Sequence, residues 1–242
     1  MKILLIRHGD PDYEKDSLTE KGWHEAELLA QRMAELKIQS FYVSPLGRAK
    51  DTASCTLKKM RREAEELAWL REFHAPIPDF HTGEPRIPWD QLPADWTAEP
   101  KYYDNIRWAE TLPMLEGHVI DEVNRVWNGL DEVLAKHGYV RNGNYYDAVS
   151  PNEDTLAFFC HFGVTCVMLS HLLGISPMIL WHGFCAAPTS VTSLITEERR
   201  EGVALFRMNA FGDTAHLFAN HEEPAFAARF CETFANQEQR HD

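Results

Sequence analysis

The sequence predicts an α/β fold in which helices cover both faces of a mainly parallel sheet. Short continuous apolar runs such as Lys2 to Ile6 are typical of strands that are buried on both faces. These runs alternate along the chain with segments whose apolar residues recur at helical spacing. A chain of 242 residues, 44% of them hydrophobic, can build one substantial core. We therefore expect a single α/β domain over residues 1–242.

The first half of the chain supplies two strands and two helices of this pattern. The strand Lys2 to Ile6 precedes a helix that starts with N-cap chemistry at Leu18-Thr19. Phe41 to Val43 predicts the second strand, which Ser44-Pro45 ends. The segment that follows predicts a long, polar-faced helix from about Gly47 to Leu67. Strand and helix thus alternate as they do in a parallel sheet.

The second half of the chain repeats the alternation. The expected elements are a strand at Thr155 to Cys160, a helix at Gly163 to Leu173, and strands at Val191 to Ile195 and Val203 to Met208. The last residues, Gln237 to Asp242, are expected to form a frayed tail.

Between Phe73 and Pro113 the periodicity disappears. This stretch holds seven of the 13 prolines and three of the seven tryptophans, Trp89, Trp96 and Trp108. It is too apolar for a flexible linker, so we expect an ordered insertion over about residues 73–113. The insertion is predicted to be a lid over a site, and the alternative is a loop that covers one edge of the sheet.

Composition and charge exclude several classes of protein. The formal net charge of -13 repels phosphate polymers and anionic lipids, so we expect neither a nucleic-acid nor a membrane partner. No apolar run approaches the roughly 18 residues of a membrane span, and the N-terminus lacks a signal-peptide pattern. The five cysteines have an irregular spacing that is typical neither of a disulfide framework nor of a zinc site. We therefore expect a cytoplasmic protein.

Polar side chains follow three of the predicted strands at the point where each strand ends. Arg7 and His8 follow the first strand, Arg48 comes shortly after the second, and His161 follows the strand that ends at Cys160. Ligands of an open parallel α/β sheet bind outside the carboxyl ends of its strands. We therefore expect two arginines and two histidines to meet at one rim.

This set of residues suits phosphoryl transfer. Two guanidinium groups can clamp the non-bridging oxygens of a phosphate, and a neutral imidazole at His8 can attack phosphorus and hold it as a phosphohistidine. His161 can donate further hydrogen bonds, and the first backbone N–H groups of the helix after it favour an anion. The remaining histidines show no spacing typical of a metal site. We expect a small phosphorylated substrate, no metal and no other cofactor.

Three motifs at these positions resemble the sequence landmarks of the histidine phosphatase superfamily, branch 1, also called phosphoglycerate mutase-like. They are Ile6-Arg7-His8-Gly9, Ser44-Pro45-Leu46-Gly47-Arg48-Ala49 and Cys160-His161-Phe162-Gly163. Leu18-Thr19-x-x-Gly22 is similar to the family's usual start of the first helix. The resemblance extends from Lys2 to about Leu217.

The resemblance also implies a role for each residue. It implies a phosphohistidine at His8, phosphate contacts from Arg7, Arg48 and His161, and a carboxylic acid from the middle region that protonates the leaving oxygen. Leu70-Arg71-Glu72 resembles the family's L-x-E signature, which makes Glu72 the candidate catalytic acid.

The acid is needed because an alkoxide is a poor leaving group at neutral pH, and the same carboxylate can later activate water. Burial beside the bound phosphate should raise its pKa. Three other glutamates lie in or near the insertion and stay open as alternatives, namely Glu84, Glu110 and Glu116.

These features predict a metal-independent phosphatase that hydrolyses a phosphomonoester through a phosphohistidine. Phosphoglycerate mutases of the family have a longer stretch before the first helix, whereas here only Asp10 to Ser17 separate Gly9 from Leu18. The resemblance therefore favours hydrolysis. Two alternatives stay open, a phosphomutase of the phosphoglycerate mutase type and a phospho-ligand binding module without turnover. The leaving group and the oligomeric state are not predicted.

Overall fold

Strands and helices alternate along the chain in the computed structural model, which describes residues 1–227 and 229–241. The strands are β1 Lys2–Arg7, β2 Pro11–Asp12, β3 Ser17–Leu18, β4 Ser40–Val43, β5 Glu65–Glu66, β6 Ile77–Pro78, β7 Pro85–Arg86, β8 Tyr139–Asn142, β9 Tyr145–Ala148, β10 Thr155–Cys160, β11 Val191–Arg200 and β12 Val203–Asp213. The α-helices are α1 Glu20–Ala34, α2 Gly47–Met60, α3 Pro93–Trp96, α4 Leu112–Glu116, α5 Val119–Lys136, α6 Phe162–Leu173, α7 Pro177–Gly183 and α8 Ala215–Phe218. Short 3₁₀-helices cover Ala68–Leu70, Pro100–Tyr103 and Arg107–Glu110.

A mixed sheet forms the centre of the described structure, with the strand order β5-β4-β10-β1-β11-β12-β9-β8. The strands from β5 to β1 pair in parallel, and antiparallel pairs add the remaining strands beyond β1. Because β12 and β8 each lie an even number of antiparallel pairings from β1, they point in the same direction as β1. Most strands therefore run one way, and the predicted α/β class is confirmed.

The core lies on both faces of this sheet. Ile3 and Leu5 of β1 pack with α5 and α6 on one face, whereas Leu4 and Ile6 pack with α1 and α2 on the other. Successive side chains of a strand point to opposite faces, so a strand covered on both sides must be apolar at every position. This is the physical reason for the continuous apolar run at the start of the chain.

Helix α2 is shorter than the sequence predicts. It ends at Met60 because Arg61 adopts a left-handed conformation, with φ 54°, and closes the last turn through its backbone N–H. The chain then adds Glu65–Glu66 to the sheet, where Tyr42 pairs with Glu65. The prediction of a helix to Leu67 is therefore wrong, because pairing at the sheet edge outweighs the helical propensity of this charged segment.

The predicted frayed tail is also wrong for the residues that the structure describes. Arg240 forms an ion pair with Asp90 at 3.1 Å, and its carbonyl accepts from the Cys231 N–H at 2.7 Å. Residues 229–241 thus fold back onto the insertion. Asp242 lies outside the described residues.

The insertion at residues 73–113 is ordered. Tyr102 and Trp108 are buried in the main core, and β6 pairs with β7 within the insertion. Side chains of the insertion therefore anchor it to the sheet and helices beneath it.

Helix α5 is the longest helix in the described part of the chain, with 18 residues. Its buried side chains, including Val123, Val126 and Leu130, recur at helical spacing and pack into the core. Among the helices of residues 1–227 and 229–241, none combines the length and apolar character that a membrane crossing requires.

Gly129→Ala should destabilise the protein, because a methyl group has no room between α5 and Trp69. A Cβ at Gly129 would lie 2.4 Å from Cδ1 of Trp69. Overpacking of this kind costs about 1–3 kcal/mol of the free energy of unfolding, which urea denaturation measures. Gly183→Ala is the matched control, because apart from its chain neighbours and the backbone of its own helix nothing lies within 4 Å of a Cβ at that position. If the two variants unfolded at the same urea concentration, the close packing of Trp69 on α5 would be contradicted.

Candidate active site

A cavity of about 730 Å³ lies at the carboxyl end of β1. Arg7, His8, Arg48 and Glu72 line this cavity. His161 is fully buried beside His8, with ring centroids 5.1 Å apart and planes tilted by 58°. The structure therefore brings the five predicted site residues to one place, with His161 behind His8.

The pairing of β1 with β10 positions the two histidines. Arg7 is the register partner of Cys160, and the His8 N–H donates to the Cys160 carbonyl at 3.0 Å. His8 and His161 are the next residues of the two parallel strands. They consequently leave the sheet at the same edge and lie side by side.

The hydrogen bond of the His8 ring defines its tautomer. Nδ1 lies 2.7 Å from the Gly9 carbonyl oxygen. A carbonyl oxygen can only accept, so Nδ1 carries the hydrogen and Nε2 carries a lone pair. Burial, followed by the positive charges of Arg7 and Arg48, lowers the pKa of His8 well below its ordinary value. The imidazole is therefore neutral at neutral pH and can act as a nucleophile.

Three backbone hydrogen bonds fix the dipeptide Arg7-His8, and a fourth hydrogen bond holds Gly9 directly after it. Besides the bond to Cys160, the Arg7 N–H donates to the Ser190 carbonyl at 3.2 Å, and the Thr189 N–H donates to the His8 carbonyl at 3.1 Å. The Gly9 N–H donates to Oγ1 of Thr52 at 2.9 Å. The dipeptide is thereby held on both sides, by β10 and by the turn before β11.

Thr189 adopts an unusual conformation in that turn. Its φ of 57° lies in the left-handed region, which is strained for a β-branched residue. His216, which is buried, holds the side chain through a 3.0 Å contact between Nε2 and Oγ1 of Thr189. The strained residue thus aims its N–H at the carbonyl of His8.

Arg7 is held by backbone carbonyls. Nη1 donates to Ala186 at 2.6 Å, and Nη2 donates over a longer distance, 3.4 Å, to Ala227. Nε is buried and has no hydrogen-bond partner among residues 1–227 and 229–241. The side chain of Arg7 also lines the cavity, so its permanent positive charge lies close to an anion that binds there.

Arg48 is held by a carboxylate. Nη1 lies 2.6 Å from Oδ1 of Asp16, and Oδ2 of Asp16 accepts from the Gly47 N–H at 2.7 Å. The guanidinium also lies over the ring of Tyr13, 5.5 Å from the centroid. In the described structure its buried Nε, like that of Arg7, lacks a hydrogen-bond partner. Two arginines with permanent charges therefore line this site.

His161 is oriented by Ser44, at the end of β4. Oγ of Ser44 accepts from the Leu46 N–H at 3.3 Å and lies 2.7 Å from Nε2 of His161. The hydroxyl can therefore donate its proton to Nε2, which leaves the hydrogen of the ring on Nδ1. That Nδ1 is buried and makes no hydrogen bond within the described structure. Burial, and then the neighbouring His8, lower the pKa of His161 well below its ordinary value.

Glu72 lies at the N-terminus of α6. Its carboxylate accepts from the backbone N–H groups of Phe73 at 2.8 Å, Val164 at 3.0 Å and Gly163 at 3.3 Å. Burial raises the pKa of Glu72, and these hydrogen bonds oppose the shift. Gly163 must lack a side chain here, because a Cβ would lie 2.7 Å from Oε1 of Glu72. The first N–H groups of α6, expected to favour a bound anion, thus bind the carboxylate of Glu72.

The alternative glutamates lie elsewhere. Glu84, Glu110 and Glu116 are exposed and do not line the cavity. Asp90 is the other lining carboxylate, and it is paired with Arg240. Glu72 is therefore the cavity carboxylate that backbone N–H groups hold.

Several residues of the site were missed by sequence reasoning. Ser44 lies in the Ser44-Pro45-Leu46-Gly47-Arg48-Ala49 motif and Thr52 shortly behind it, but the sequence predicted no contact for either residue. Asp16 was not identified, and its one signal is its place in the short segment between Gly9 and Leu18. Thr189 has no local sequence signal, because its role depends on a turn more than 180 residues from His8 in the chain.

No three histidine, cysteine or acidic side chains are grouped to hold a metal ion within residues 1–227 and 229–241. Independence from metal stays a prediction.

A comparison with protein families matches residues 3–209 to the histidine phosphatase superfamily (branch 1). The matched range contains His8, Arg48, Glu72 and His161.

Curated relatives match shorter parts of the chain. It is 35% identical over 94 residues to the mitochondrial serine/threonine-protein phosphatase Pgam5 of Caenorhabditis briggsae, which is 36% of this chain and 33% of that protein. It is 42% identical over 64 residues to the 2,3-bisphosphoglycerate-dependent phosphoglycerate mutase of Thermoplasma acidophilum, which is 22% of this chain and 32% of that protein. The chain spans about a third of the length of these relatives.

Solved structures match over most of the chain. A variant of phosphoserine phosphatase from Entamoeba histolytica, in complex with phosphoserine, is 19% identical with a TM-score of 0.59, covering 89% of this chain and 98% of that chain. A mycobacterial glucosyl-3-phosphoglycerate phosphatase in complex with inorganic phosphate is 19% identical with a TM-score of 0.57, with the same two coverages, 89% and 98%. At this level of identity the likeness shows a shared fold.

Asp16→Ala should weaken the binding of inorganic phosphate about fivefold or more, because Arg48 loses the charged partner that orients it. Asp16→Asn should have a smaller effect, because an amide oxygen can still accept from Gly47 and asparagine tolerates the φ of 47° at this position. Isothermal titration calorimetry measures the dissociation constant of phosphate for each variant.

Asp12→Asn is the matched control, because Asp12 pairs with Lys15 and not with Arg48. Equal affinities in all three variants would show that Arg48 does not need Asp16 to bind an anion.

Proposed function

This chain belongs to branch 1 of the histidine phosphatase superfamily, and we propose that it is a metal-independent phosphatase that hydrolyses a phosphomonoester through a phosphohistidine at His8. One observation carries the proposal. The 2.7 Å hydrogen bond from Nδ1 to the Gly9 carbonyl leaves a lone pair on Nε2, in a cavity that Arg7 and Arg48 also line. A nucleophile and two permanent positive charges therefore face one space.

The arginines would bind the phosphate group of the substrate. Both side chains line the cavity, where their permanent charges would attract the non-bridging oxygens and stabilise the charge of the transition state. His161 would add a donor from Nδ1, with Ser44 holding the tautomer. For this role the ring of His161, which lies beside His8, has to contact the phosphate in the cavity. That contact is part of the proposal.

In the first step, Nε2 of His8 attacks phosphorus while the bond from phosphorus to the ester oxygen breaks. The proton that the departing alkoxide needs comes from the carboxyl group of Glu72. The products of this step are an alcohol, a phosphohistidine and the Glu72 carboxylate. A raised pKa keeps a larger fraction of Glu72 protonated for this transfer.

In the second step, water attacks the phosphoryl group. The Glu72 carboxylate accepts a proton from that water as the bond between phosphorus and Nε2 breaks. The step releases inorganic phosphate and restores neutral His8 and protonated Glu72. One carboxyl group thus serves as acid and then as base.

A phosphomutase is the second candidate, and the similarity to the Thermoplasma phosphoglycerate mutase favours it. A mutase would return the phosphoryl group to a hydroxyl of the same sugar acid instead of to water. Incubation with 3-phosphoglycerate separates the two, because a mutase forms 2-phosphoglycerate without releasing phosphate.

We further propose that residues 73–113 act as a lid over the cavity. The support is that Arg86, Trp89, Asp90, Gln91 and Trp96, all within the insertion, line it. The substrate would be a small phosphorylated molecule, and a cytoplasmic location stays a prediction.

His8→Ala should abolish the release of phosphate from 4-nitrophenyl phosphate, since it removes the nucleophile. The intact protein should retain its turnover in the presence of EDTA. Brief mixing with ³²P-labelled substrate should leave an acid-labile, base-stable label on the intact protein and none on the variant.

His24→Ala is the matched control, because His24 is an exposed histidine of α1 outside the cavity. Turnover that persists in His8→Ala, or a label on cysteine or aspartate, would refute the phosphohistidine mechanism.

Glu72→Gln should lower kcat for an alkyl phosphate by about 10²- to 10⁴-fold, because an alkoxide needs a proton to leave. The first-turnover burst with 4-nitrophenyl phosphate should survive, since 4-nitrophenolate leaves without one. Activity of the intact protein toward the alkyl ester should fall as the pH rises through the raised pKa of Glu72, and should be lost at low pH when His8 gains a proton. Stopped-flow kinetics across pH measure these effects.

Glu84→Gln is the matched control, since Glu84 is an exposed glutamate of the insertion. If Glu84→Gln lost turnover of the alkyl ester and Glu72→Gln kept it, Glu84 would be the catalytic acid.

A further inference from the structure

We propose that the leaving alcohol of the substrate is uncharged and apolar, with a ring system about the size of naphthalene. This inference rests on the proposed function, because it concerns the part of the same cavity that lies beyond the phosphate-binding residues. We call this part the aromatic chamber. Its rings are Trp89, Trp96, Phe162, Trp181, Phe184 and Phe230.

The size of the cavity exceeds what a small sugar acid needs. A volume of about 730 Å³ falls within the range of pockets that enclose ligands of drug size, roughly 300–1,000 Å³. A phosphoryl group at His8 would fill only a small part of it. The remainder must be occupied by the alcohol or by water.

Two of the three indole N–H groups of the aromatic chamber are directed at protein atoms. Nε1 of Trp181 donates to the Gly163 carbonyl at 3.1 Å, and Nε1 of Trp89 makes a long contact of 3.5 Å with the Phe73 carbonyl. The surface that these two side chains offer to a ligand is therefore ring carbon.

His182 is similarly occupied. Its Nδ1 donates to the Met178 carbonyl at 2.8 Å, while its Nε2 accepts from the Gln91 N–H at 3.2 Å. Its ring stacks on Trp96, with centroids 5.0 Å apart and planes 24° apart. A sugar or amino acid needs free donors and acceptors, which neither this ring nor the two indoles provide.

The arginines at the rim each face a carboxylate. Arg86 lies 3.1 Å from Asp79, Arg240 lies 3.1 Å from Asp90, and Arg229 lies 3.9 Å from Glu232. A second anionic group on the substrate would have to compete with these carboxylates for the guanidinium groups.

A cationic leaving group is disfavoured as well. Aromatic faces attract quaternary ammonium groups, but Arg7, which is held by backbone carbonyls, keeps its full positive charge in the cavity and would repel one. An uncharged, apolar ring system fits both the ring surfaces and the charge balance. It would bury apolar area against the tryptophans and add ring-to-ring contacts.

Phosphonates test the inference without requiring turnover, because their carbon–phosphorus bond is not an ester. We would titrate the full chain with 2-(1-naphthyl)ethylphosphonate, ethylphosphonate, 2-amino-4-phosphonobutanoate and the phosphonate analogue of phosphocholine. The naphthyl compound should bind about tenfold tighter, or more, than each of the others. Equal affinities would overturn the inference, and so would preference for the zwitterionic amino acid or for the ammonium compound.

Trp96→Ala should reduce affinity for the naphthyl compound about tenfold and leave that for ethylphosphonate nearly unchanged. Trp23→Ala is the matched control, because Trp23 is an exposed tryptophan of α1 that does not line the cavity. An equal loss for both ligands in Trp96→Ala would show that the ring supports the structure and does not contact the alcohol.

Turnover distinguishes a failure of this inference from a failure of the proposed function. The substrates are 2-(1-naphthyl)ethyl phosphate, glycerol 1-phosphate and phosphoserine, which all release a primary alkoxide, so the chemistry of the broken bond is matched. The naphthyl ester should have the highest kcat/KM, by about tenfold or more. Turnover that favours phosphoserine would overturn the inference and leave the phosphatase intact, whereas absence of turnover with tight naphthyl phosphonate binding would overturn the phosphatase alone.

Discussion

The parallel pairing of β1 with β10 is the constraint on which the rest of the site depends. Its register sets Arg7 opposite Cys160, so the two histidines that follow emerge together with their rings 5.1 Å apart. The register is fixed by the apolar side chains on both faces of β1. A slip of one residue would move Ile3 and Leu5 to the opposite face, where they would meet the wrong helices.

Burial of charged and titratable groups is the second constraint. The two histidines avoid the cost of a buried charge because burial and the arginines keep their rings neutral. Arginine cannot release its proton, so Arg7 and Arg48 are held by carbonyl and carboxylate oxygens instead. Both side chains also line the cavity, where their charges favour a bound anion. Burial of these polar groups opposes stability, but it also keeps the histidines neutral and the arginine charges close to the cavity.

The outer part of the cavity presents apolar surface and not charge. Its walls come from the insertion, from α7 and from the C-terminal segment, which Arg240 ties to Asp90. The polar atoms of Trp181 and His182 bind backbone atoms, and this exposes their ring surfaces to the cavity. The cavity is therefore charged at the phosphate end and apolar at the other end, and this difference would orient a bound substrate.

The sequence by itself determined the α/β class, the strands β1 and β10, and the placement of Arg7, His8, Arg48 and His161 near strand ends, because these depend on local periodicity and on short motifs. The resemblance to a family, and not periodicity, pointed to Glu72 among several glutamates. The sequence did not determine where α2 ends, since the pairing of Tyr42 with Glu65 outweighs helical propensity. Only the tertiary structure decided that Asp16 holds Arg48, that the carboxylate of Glu72 caps the N-terminus of α6, and that the C-terminal segment contacts Arg7. These contacts join residues 32, 91 and 220 positions apart, and contacts across such distances depend on how the whole chain packs.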